Sequence, residues 1–574
     1  MKNQQVAELL YNIADLLDIK GEMVFKIRAY RIAAQTIETL EEDIDVLVKE
    51  KRLETLRGIG EALAKKITEY VETGRVEYYE KLKKEMPEGL LALLNIPGLG
   101  PKKAAALYKN LHITSIEQLK KFATDEKLRD LEGFGITTEQ NILRGIQLLE
   151  KTKGRVLLNV AYEDGNNLLD YLKTCKQVKK VDLAGSLRRM KETIGDIDVL
   201  AMSNQPEQVM ECFIHYPGVE RVLAKGATKT SVHVHGQLQV DLRVVPEKSY
   251  GAALQYFTGS KDHNVILRGI AIKKGYKLNE YGLFDKKTDK YVTGRNEEDI
   301  YKKLGLRYIE PELRENRGEI EAAKKDKLPN LIKDDDVHGD FHVHSHYSDG
   351  NDSIETIANH AQNLGYAFIG VADHSQSLKI ANGLSPEQVE KKISEINRLN
   401  KKFSNLRILC GTECDIKPDG TLDYPNSILK KFDYVNIGIH TAFKMSKEEM
   451  TKRIIRGMEH EETDILVHPT GRLIGSRDPY EVDIEQIIDV AKETKTFLEI
   501  NAFPDRLDLN DVHAKLAKEH GVCMTIGTDS HNVVQLPYIK YGIATARRGW
   551  LEKKDILNTY SCREIEKQLG AKGS

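Results

Sequence analysis

Nine side chains of the kinds that hold metal ions recur along residues 337–574, and most sit directly after a short apolar run. His342 and His344 lie in DFHVH, and Asp349 follows in HYSDG. His374 ends FIGVADH, Glu413 ends ILCGTE, His440 ends VNIGIH and His468 ends DILVH. Asp529 and His531 close VCMTIGTDSH. Short apolar runs ending in polar residues, separated by helix-length stretches, predict parallel strands. When such strands form a barrel, their C-terminal ends gather on one face and carry the chemistry. Any one of these histidines alone is equally well explained as a satisfied, half-buried side chain. Together at strand ends they predict an imidazole- and carboxylate-rich pocket suited to roughly two or three Mn, Zn or Fe ions. On a strand, His342 and His344 share a face.

A second set of carboxylates lies in the middle of the chain. Asp196 and Asp198 occupy alternate positions of GDIDVL, and Asp241 lies in the strand-like QVDLRVV. Alternate strand positions point the same way. Three carboxylates converging from neighbouring strands suit two Mg ions placed for in-line phosphoryl transfer. Gly185 and Ser186 open a turn whose backbone N–H and hydroxyl can meet phosphate oxygens, and Arg188 and Arg189 add charge of the right sign.

The elements that must position these groups follow from pattern. Residues 1 to about 150 read as helical, and one motif recurs three times: LRGIGEALAKKI (56–67), NIPGLGPKKAAAL (95–107) and LEGFGITTEQNIL (131–143). Each is an apolar residue, then G-x-G, then a helix start, the shape of a helix-hairpin-helix. Gly58, Gly60, Gly98 and Gly100 permit a tight turn, and the next helix presents backbone N–H groups that can hold a phosphate. The lysine pairs Lys65–Lys66 and Lys102–Lys103 favour sequence-independent binding of a nucleic-acid backbone. Residues 155–245 change to strand and helix patterns. The charged stretch 314–336 reads as a linker with at most one solvated helix.

At 574 residues the chain exceeds one core. Its formal charge of −2 announces no global field for nucleic acid, so such contacts must be local. The six cysteines show no disulfide framework, and a reducing cytoplasm is the expected location. The first residues form an amphipathic helix pattern (Leu9, Leu10, Ile13, Leu16, Leu17) rather than a signal peptide, and no run reaches the length of a membrane span.

G-S-x-R-R with G-D-x-D nearby, YFTGSKDHN (256–264) and the upstream hairpins resemble the family X DNA polymerases, such as polymerase beta, over about residues 1–315. The strand-end metal set resembles the polymerase and histidinol phosphatase (PHP) domain, and the two in this order resemble bacterial family X polymerases with a C-terminal PHP nuclease. The resemblance implies a multidomain chain. Its parts would be a helical DNA-binding, lyase-like domain (1–84) and helix-hairpin-helix fingers (85–152). A nucleotidyltransferase palm (153–245), a thumb (246–313), the linker (314–336) and a distorted TIM-like (β/α) PHP barrel (337–574) would follow.

It further implies Mg on Asp196, Asp198 and Asp241, and triphosphate contacts from Gly185, Ser186, Arg189 and Gly195. Tyr256, Phe257 and Gly259 would lie against the sugar, Asn264 would touch the incoming base and Arg268 the template minor groove. Ile194 stands where polymerase beta has a serine, and Gln239 replaces an arginine near the third carboxylate. Lys66 falls at the lyase Schiff-base position, with Tyr30 and Lys26 on the 5′-phosphate side, while Ala62 replaces a phosphate-binding lysine. In the PHP domain all nine residues named first would hold three ions, Mn, Zn or Fe. His346 would share the face of the H-x-H pair if the strand continues, either behind the ligands or merely near the rim, and Glu499 and Asn501 would sit at the pocket without binding metal. The implied activity is gap-filling addition of dNTPs to a primer 3′ end in base excision repair, coupled to Mn-dependent 3′–5′ exonuclease action, in a monomer that binds no membrane. The alternative is a phosphatase of small metabolites carrying a catalytically dead DNA-binding half.

Overall fold

The computed structural model describes residues 2–38, 40, 42–86, 89–152, 154–234 and 238–570. The chain forms two compact units: residues 1–153 together with 475–477, and the remainder. Among the described residues, no helix is long and apolar enough to cross a membrane.

The first unit is helical. Helices Lys2–Lys20, Val24–Glu38, Ile44–Lys49, Glu61–Thr73 and Glu77–Lys84 enclose a core that includes Leu10, Ile13, Leu17, Ala34, Ile37 and Ile67. The apolar stripe of the first helix faces this core. A second cluster around Leu93, Leu107, Leu119 and Ile146 joins helices Leu90–Leu94, Pro101–Leu111, Ile116–Thr124 and Gly135–Thr152.

The second unit begins with a five-stranded mixed sheet. Its order is Lys180–Leu183, Asp196–Met202, Leu238–Val245, Lys229–Val234 and Val219–Lys225, with only the Asp196–Met202 and Leu238–Val245 pair parallel. Helix Leu158–Thr174 covers it through Leu168 and Leu172. Helices Tyr250–Thr258 and Lys261–Lys273 and a small antiparallel sheet (Tyr276–Asn279, Gly282–Asp285, Tyr291–Thr293) follow.

Seven parallel strands then run in chain order: Gly339–Val343, Phe368–His374, Arg407–Asp415, Tyr434–Gly438, Ile465–Leu466, Phe497–Asn501 and Met524–Gly527. A parallel bridge from Val343 to Ser530, and a bond from the Thr528 N–H to Asp340 Oδ1 (3.1 Å), bring the last strand back to the first. The result is a nearly closed, TIM-like barrel of seven strands. Its strands are buried throughout, as expected of parallel strands covered by helices. Leu507 and Tyr541 of the barrel belong to the apolar core of the preceding sheet, so the two are packed as one body.

Two expectations fail here. The stretch 314–336 is packed rather than solvated: it holds a short helix, Glu319–Lys324, and Arg314, Glu319 and Ile320 are buried. Its charges point inward to partners, Arg314 Nη1 to Glu297 Oε1 (2.6 Å) and Glu319 Oε1 to His263 Nδ1 (2.7 Å), which composition does not reveal. Two of the six cysteines, Cys175 and Cys212, are disulfide-bonded across a helix and its neighbour, with Cα atoms 6.5 Å apart. Cys410 and Cys414 are free and buried.

Candidate active sites

In the mixed sheet, strand register sets Asp198 opposite Asp241 and Asp196 opposite Gln239. Asp196 and Asp198 alternate on one strand, so the three carboxylates share a patch. Burial, then the charges of Asp196 and Asp241, push the Asp198 carboxyl up to about 7. Burial would also raise Asp241. Instead Lys229, 2.6 Å away, and hydrogen bonds from Ser231 and Gln239 hold it below the usual carboxylate range. A divalent cation satisfies all three at once, so the donor set fits the oxygen-liking metals. The G-S turn is built against this patch. Gly185 has φ +61°, and a Cβ there would lie 2.3 Å from Asp198 Oδ2, so only glycine fits.

Beside the carboxylates opens a cleft of about 560 Å³. Gly185, Ser186, Arg189, Asp196, Asp198, Tyr256, Phe257, Gly259, Asn264 and Arg268 line it. Gly195 does not line it but abuts the Arg155 guanidinium. Arg155, Lys191, Ser260 and Lys261 also line the cleft; none was given a role from sequence, although Ser260 and Lys261 belong to the YFTGSKDHN motif. Arg189 donates from Nε to Glu315 Oε1 (3.0 Å) and from Nη1 to the Thr258 carbonyl. Arg188 is turned away from the cleft. It pairs with Glu297 (Nη2 to Oε2, 2.6 Å) and Thr258 Oγ1 (2.7 Å), so its charge serves packing rather than phosphate. The Asn264 amide is held by the Tyr256 carbonyl and by Gln255 Nε2, each at 2.7 Å, and Arg268 Nε reaches the Asn264 carbonyl (3.3 Å).

At the C-terminal mouth of the barrel the nine candidate ligands meet. His344, Asp349, His374 and His531 offer donor atoms within 4.8 Å of one another, as do His342, His344 and Asp529, and His374, Glu413 and His440. His468 joins the last group through Nε2, 2.7 Å from Glu413 Oε1. Buried nitrogens of His342 (Nε2), His344 (Nδ1), His374 (Nδ1) and His468 (Nδ1) lack hydrogen-bond partners, the environment a metal donor set requires. Burial, then neighbouring His531 and His374, lower His344 to about 4. Burial and Arg506 do the same for His468. Both imidazoles are therefore neutral at pH 7 and have lone pairs to give. His468 (φ +31°) and Asp529 (φ +54°) hold left-handed backbone conformations, strain of a kind that collects at functional sites.

Glu499 acts beneath the pocket. Its Oε1 accepts a hydrogen bond from His342 Nδ1 (2.7 Å) and its Oε2 accepts from the His468 backbone N–H (2.7 Å). This fixes the His342 tautomer with Nε2 aimed at the cluster. Gly527 makes room, since a Cβ there would lie 2.3 Å from Glu499 Oε1. Asn501 Nδ2 reaches Glu499 and Asp529, both at 3.2 Å. The strand ends at Val343, so His346 leaves the His342–His344 face and is exposed. Arg506 was not anticipated: its Nε lies 3.1 Å from Asp529 Oδ2 at the same mouth.

In the helical unit, Gly58 and Gly98 adopt φ +79° and +82°, and helices Glu61–Thr73 and Pro101–Leu111 start without a side-chain cap. Their first N–H groups are available to an anion. Lys102 is exposed and Lys103 half-buried. Lys66 and Lys26 both lie over the Tyr78 ring, with Nζ 5.0 and 5.7 Å from its centroid, and Tyr30 stacks on that ring. Burial, and more weakly Lys26, lower the Lys66 ammonium below its ordinary value. The neighbouring cation is Lys26 rather than Lys65, which pairs with Glu61 (2.7 Å).

Family models match four stretches of the chain: a helix-hairpin-helix domain at 1–76, a SAM-like helix-hairpin-helix tandem at 90–147, the DNA polymerase beta thumb at 253–315 and the PHP domain at 340–503. The DNA polymerase/3′-5′ exonuclease PolX of Bacillus subtilis (strain 168) is 39% identical over 568 residues, 99% of each chain. DNA polymerase lambda of Rattus norvegicus is 26% identical over 45% of this chain and 47% of its own length. A probable phosphatase of Thermoanaerobacter sp. (strain X514) is 28% identical over 38% of this chain and 89% of its own. With similarity to the Bacillus polymerase running nearly end to end, the chain belongs to the bacterial family X DNA polymerases that carry a C-terminal PHP domain.

Proposed function

We propose that the protein fills gaps in duplex DNA during base excision repair, adding dNTPs to a primer 3′-hydroxyl, and that its barrel removes 3′-terminal nucleotides. The observation that carries the first half is the in-register pair Asp198–Asp241, with Asp196 beside it, and the cleft that Asp196 and Asp198 line together with Gly185, Ser186, Arg189, Tyr256, Phe257 and Gly259. Two Mg ions held there would supply charge neutralisation and an activated attacking hydroxyl. Asp196, Asp198 and Asp241 place that charge. Ser186 and Arg189 orient the triphosphate, Gly259 lets the sugar approach the backbone, and Asn264 and Arg268 line the base and template side.

In the barrel, the nine ligands would hold up to three ions, with Mn favoured by the mixed imidazole and carboxylate donors. Arg506 beside Asp529 is placed to meet a phosphate. Lys66 is the candidate lyase nucleophile, supported by its burial beside Lys26. The protein is proposed to act as a cytoplasmic monomer. A metabolite phosphatase is the weaker reading, because the Thermoanaerobacter relative matches 38% of the chain and leaves the polymerase cleft without a purpose. Incubation with a 5′-labelled gapped duplex tests both halves. Mg with dNTPs should lengthen the primer, and Mn without dNTPs should shorten it. A wild-type protein that does neither overturns the reading.

A further inference from the structure

The cleft arginine Arg189 is held by a residue of the other catalytic domain. Arg548, at the end of the barrel helix Ile539–Arg548, is nearly fully buried. Its Nη1 donates to the Arg189 backbone carbonyl (2.6 Å) and to Glu315 Oε1 (3.1 Å), and its Nη2 donates to Asp511 Oδ2 (2.6 Å). The same Glu315 Oε1 accepts from Arg189 Nε (3.0 Å). Glu315 thus lies between two guanidinium groups, one facing the nucleotide cleft and one rooted in the barrel. Asp511, which also binds Arg317 (3.0 Å), starts the barrel helix Asp511–His520 and anchors the far side of Arg548.

We infer that Arg548 is a positioning residue for nucleotide addition: the barrel orients Arg189, and tunes how much of its charge reaches the triphosphate, through Glu315. The inference rests on the polymerase reading above and deepens it. The physical argument is one of shared charge. With Arg548 present, the Glu315 carboxylate divides its bonding between two cations, so Arg189 keeps charge to offer a phosphate. Without Arg548, Glu315 has Arg189 as its main partner, with Lys191 more distant at 3.8 Å. Arg189 is then drawn toward Glu315 and away from the cleft. The bond from Arg548 to the Arg189 carbonyl is lost as well, and it fixes the backbone that carries that side chain. A lysine at 548 keeps the charge but not the fork that reaches Glu315, the carbonyl and Asp511 together.

Full-length Arg548→Met, Arg548→Lys and the double variant Arg548→Met/Glu315→Gln should be compared on a gapped duplex with Mg. The readouts are KM for dNTP, kcat, and dNTP affinity on a dideoxy-terminated primer. Loss of one charge-assisted contact predicts about a tenfold weaker dNTP binding for Arg548→Met, with kcat and DNA affinity changing much less. Arg548→Lys should fall between, and the double variant should recover part of the loss because the unshared carboxylate is gone. A merely structural Arg548 would give no such recovery. Retained barrel nuclease activity and a cooperative thermal transition well above the assay temperature serve as the folding controls, a lowered midpoint being expected when a buried ion pair is broken. Unaltered dNTP affinity in a folded Arg548→Met, or a double variant no better than the single, overturns the inference. Absence of extension by the wild type would instead overturn the polymerase reading itself.

Discussion

The two metal-binding regions gather their ligands by opposite strategies. The palm carboxylates lie at the edge of a cleft, repel one another, and rely on Lys229 to keep Asp241 ionised while Asp198 is pushed up to about 7. The barrel cluster is buried and largely self-neutralised. Glu413 is approached by His374, His440 and His468 at 2.7–3.0 Å, and although burial opposes it, His440, His374 and His342 hold its carboxyl well below the usual range. The palm carboxylates therefore keep a mutual repulsion that their own protein neighbours offset only in part. The barrel site is assembled beforehand and suits resident ions.

The largest effect expected from that contrast is in the palm. Asp198→Ala or Asp241→Ala should reduce Mg-dependent primer extension by at least about 10³-fold, since no second group can bridge the metals. The same variants should leave Mn-dependent shortening of the primer unchanged. Near-normal extension by either would show that these carboxylates do not form the site. The reciprocal experiment removes His342 and His344 together. Bound metal, read by elemental analysis, and 3′–5′ degradation should disappear in parallel, while extension persists. Degradation surviving in that variant would place the nuclease elsewhere.

A subtler change tests whether the barrel is preassembled. Glu499→Gln keeps the shape but loses the acceptor that orients His342, and should weaken metal retention about 10- to 100-fold against a chelator. Unaltered retention would mean that Glu499 only fills space.

Next in size comes the anchor between palm and thumb. Burial would raise Glu297, but Arg314 and Arg188 outweigh it and hold the carboxyl at about 2, against an ordinary 4.5. A carboxylate with a lowered folded-state pKa contributes stability that is present above about 4.5 and lost as pH falls toward 2. That contribution is on the order of 3 kcal/mol. Glu297→Gln should thus unfold more easily than wild type at pH 7, and the gap should close on acidification. A constant gap across that window would contradict it. The smallest and most local test concerns Lys66. Borohydride should trap the wild type, but not Lys66→Ala, on a 5′-deoxyribose-phosphate end. Equal trapping would assign Lys66 to phosphate contact alone.

Much of both candidate sites was legible because most of the candidate ligands sit at a strand end or on one strand face, Asp349 in the turn after the first barrel strand being the exception. Period-two alternation marks Asp196 and Asp198, and an apolar run closing on a polar residue marks His374, Glu413, His440 and His468. The hidden residues act across long sequence distances and have no local pattern. Glu499 was placed at the pocket by its strand, but not its bond to His342, 157 positions away, and Arg548 bonds to Arg189 from 359 positions away. Lys229 lies in an ordinary alternating strand opposite Arg243, and its reach across to Asp241 shows only in the folded sheet. The 314–336 segment misled for the same reason: its charges look solvated until their partners in the thumb and barrel are seen.

The order of the barrel strands has a further consequence. The strands follow one another around the ring, and the bridge from Val343 to Ser530 joins the last to the first, so the ligand set is cyclic. The His338 N–H bonds to the Asn558 carbonyl at 2.9 Å, placing the two ends of this ring side by side. The domain therefore has no topological beginning. A circularly permuted barrel, joined there and opened between helix Ile484–Thr494 and strand Phe497–Asn501, would retain every ligand in the same angular order. A cassette with that property can be attached to another enzyme through adjacent ends without disturbing its own centre.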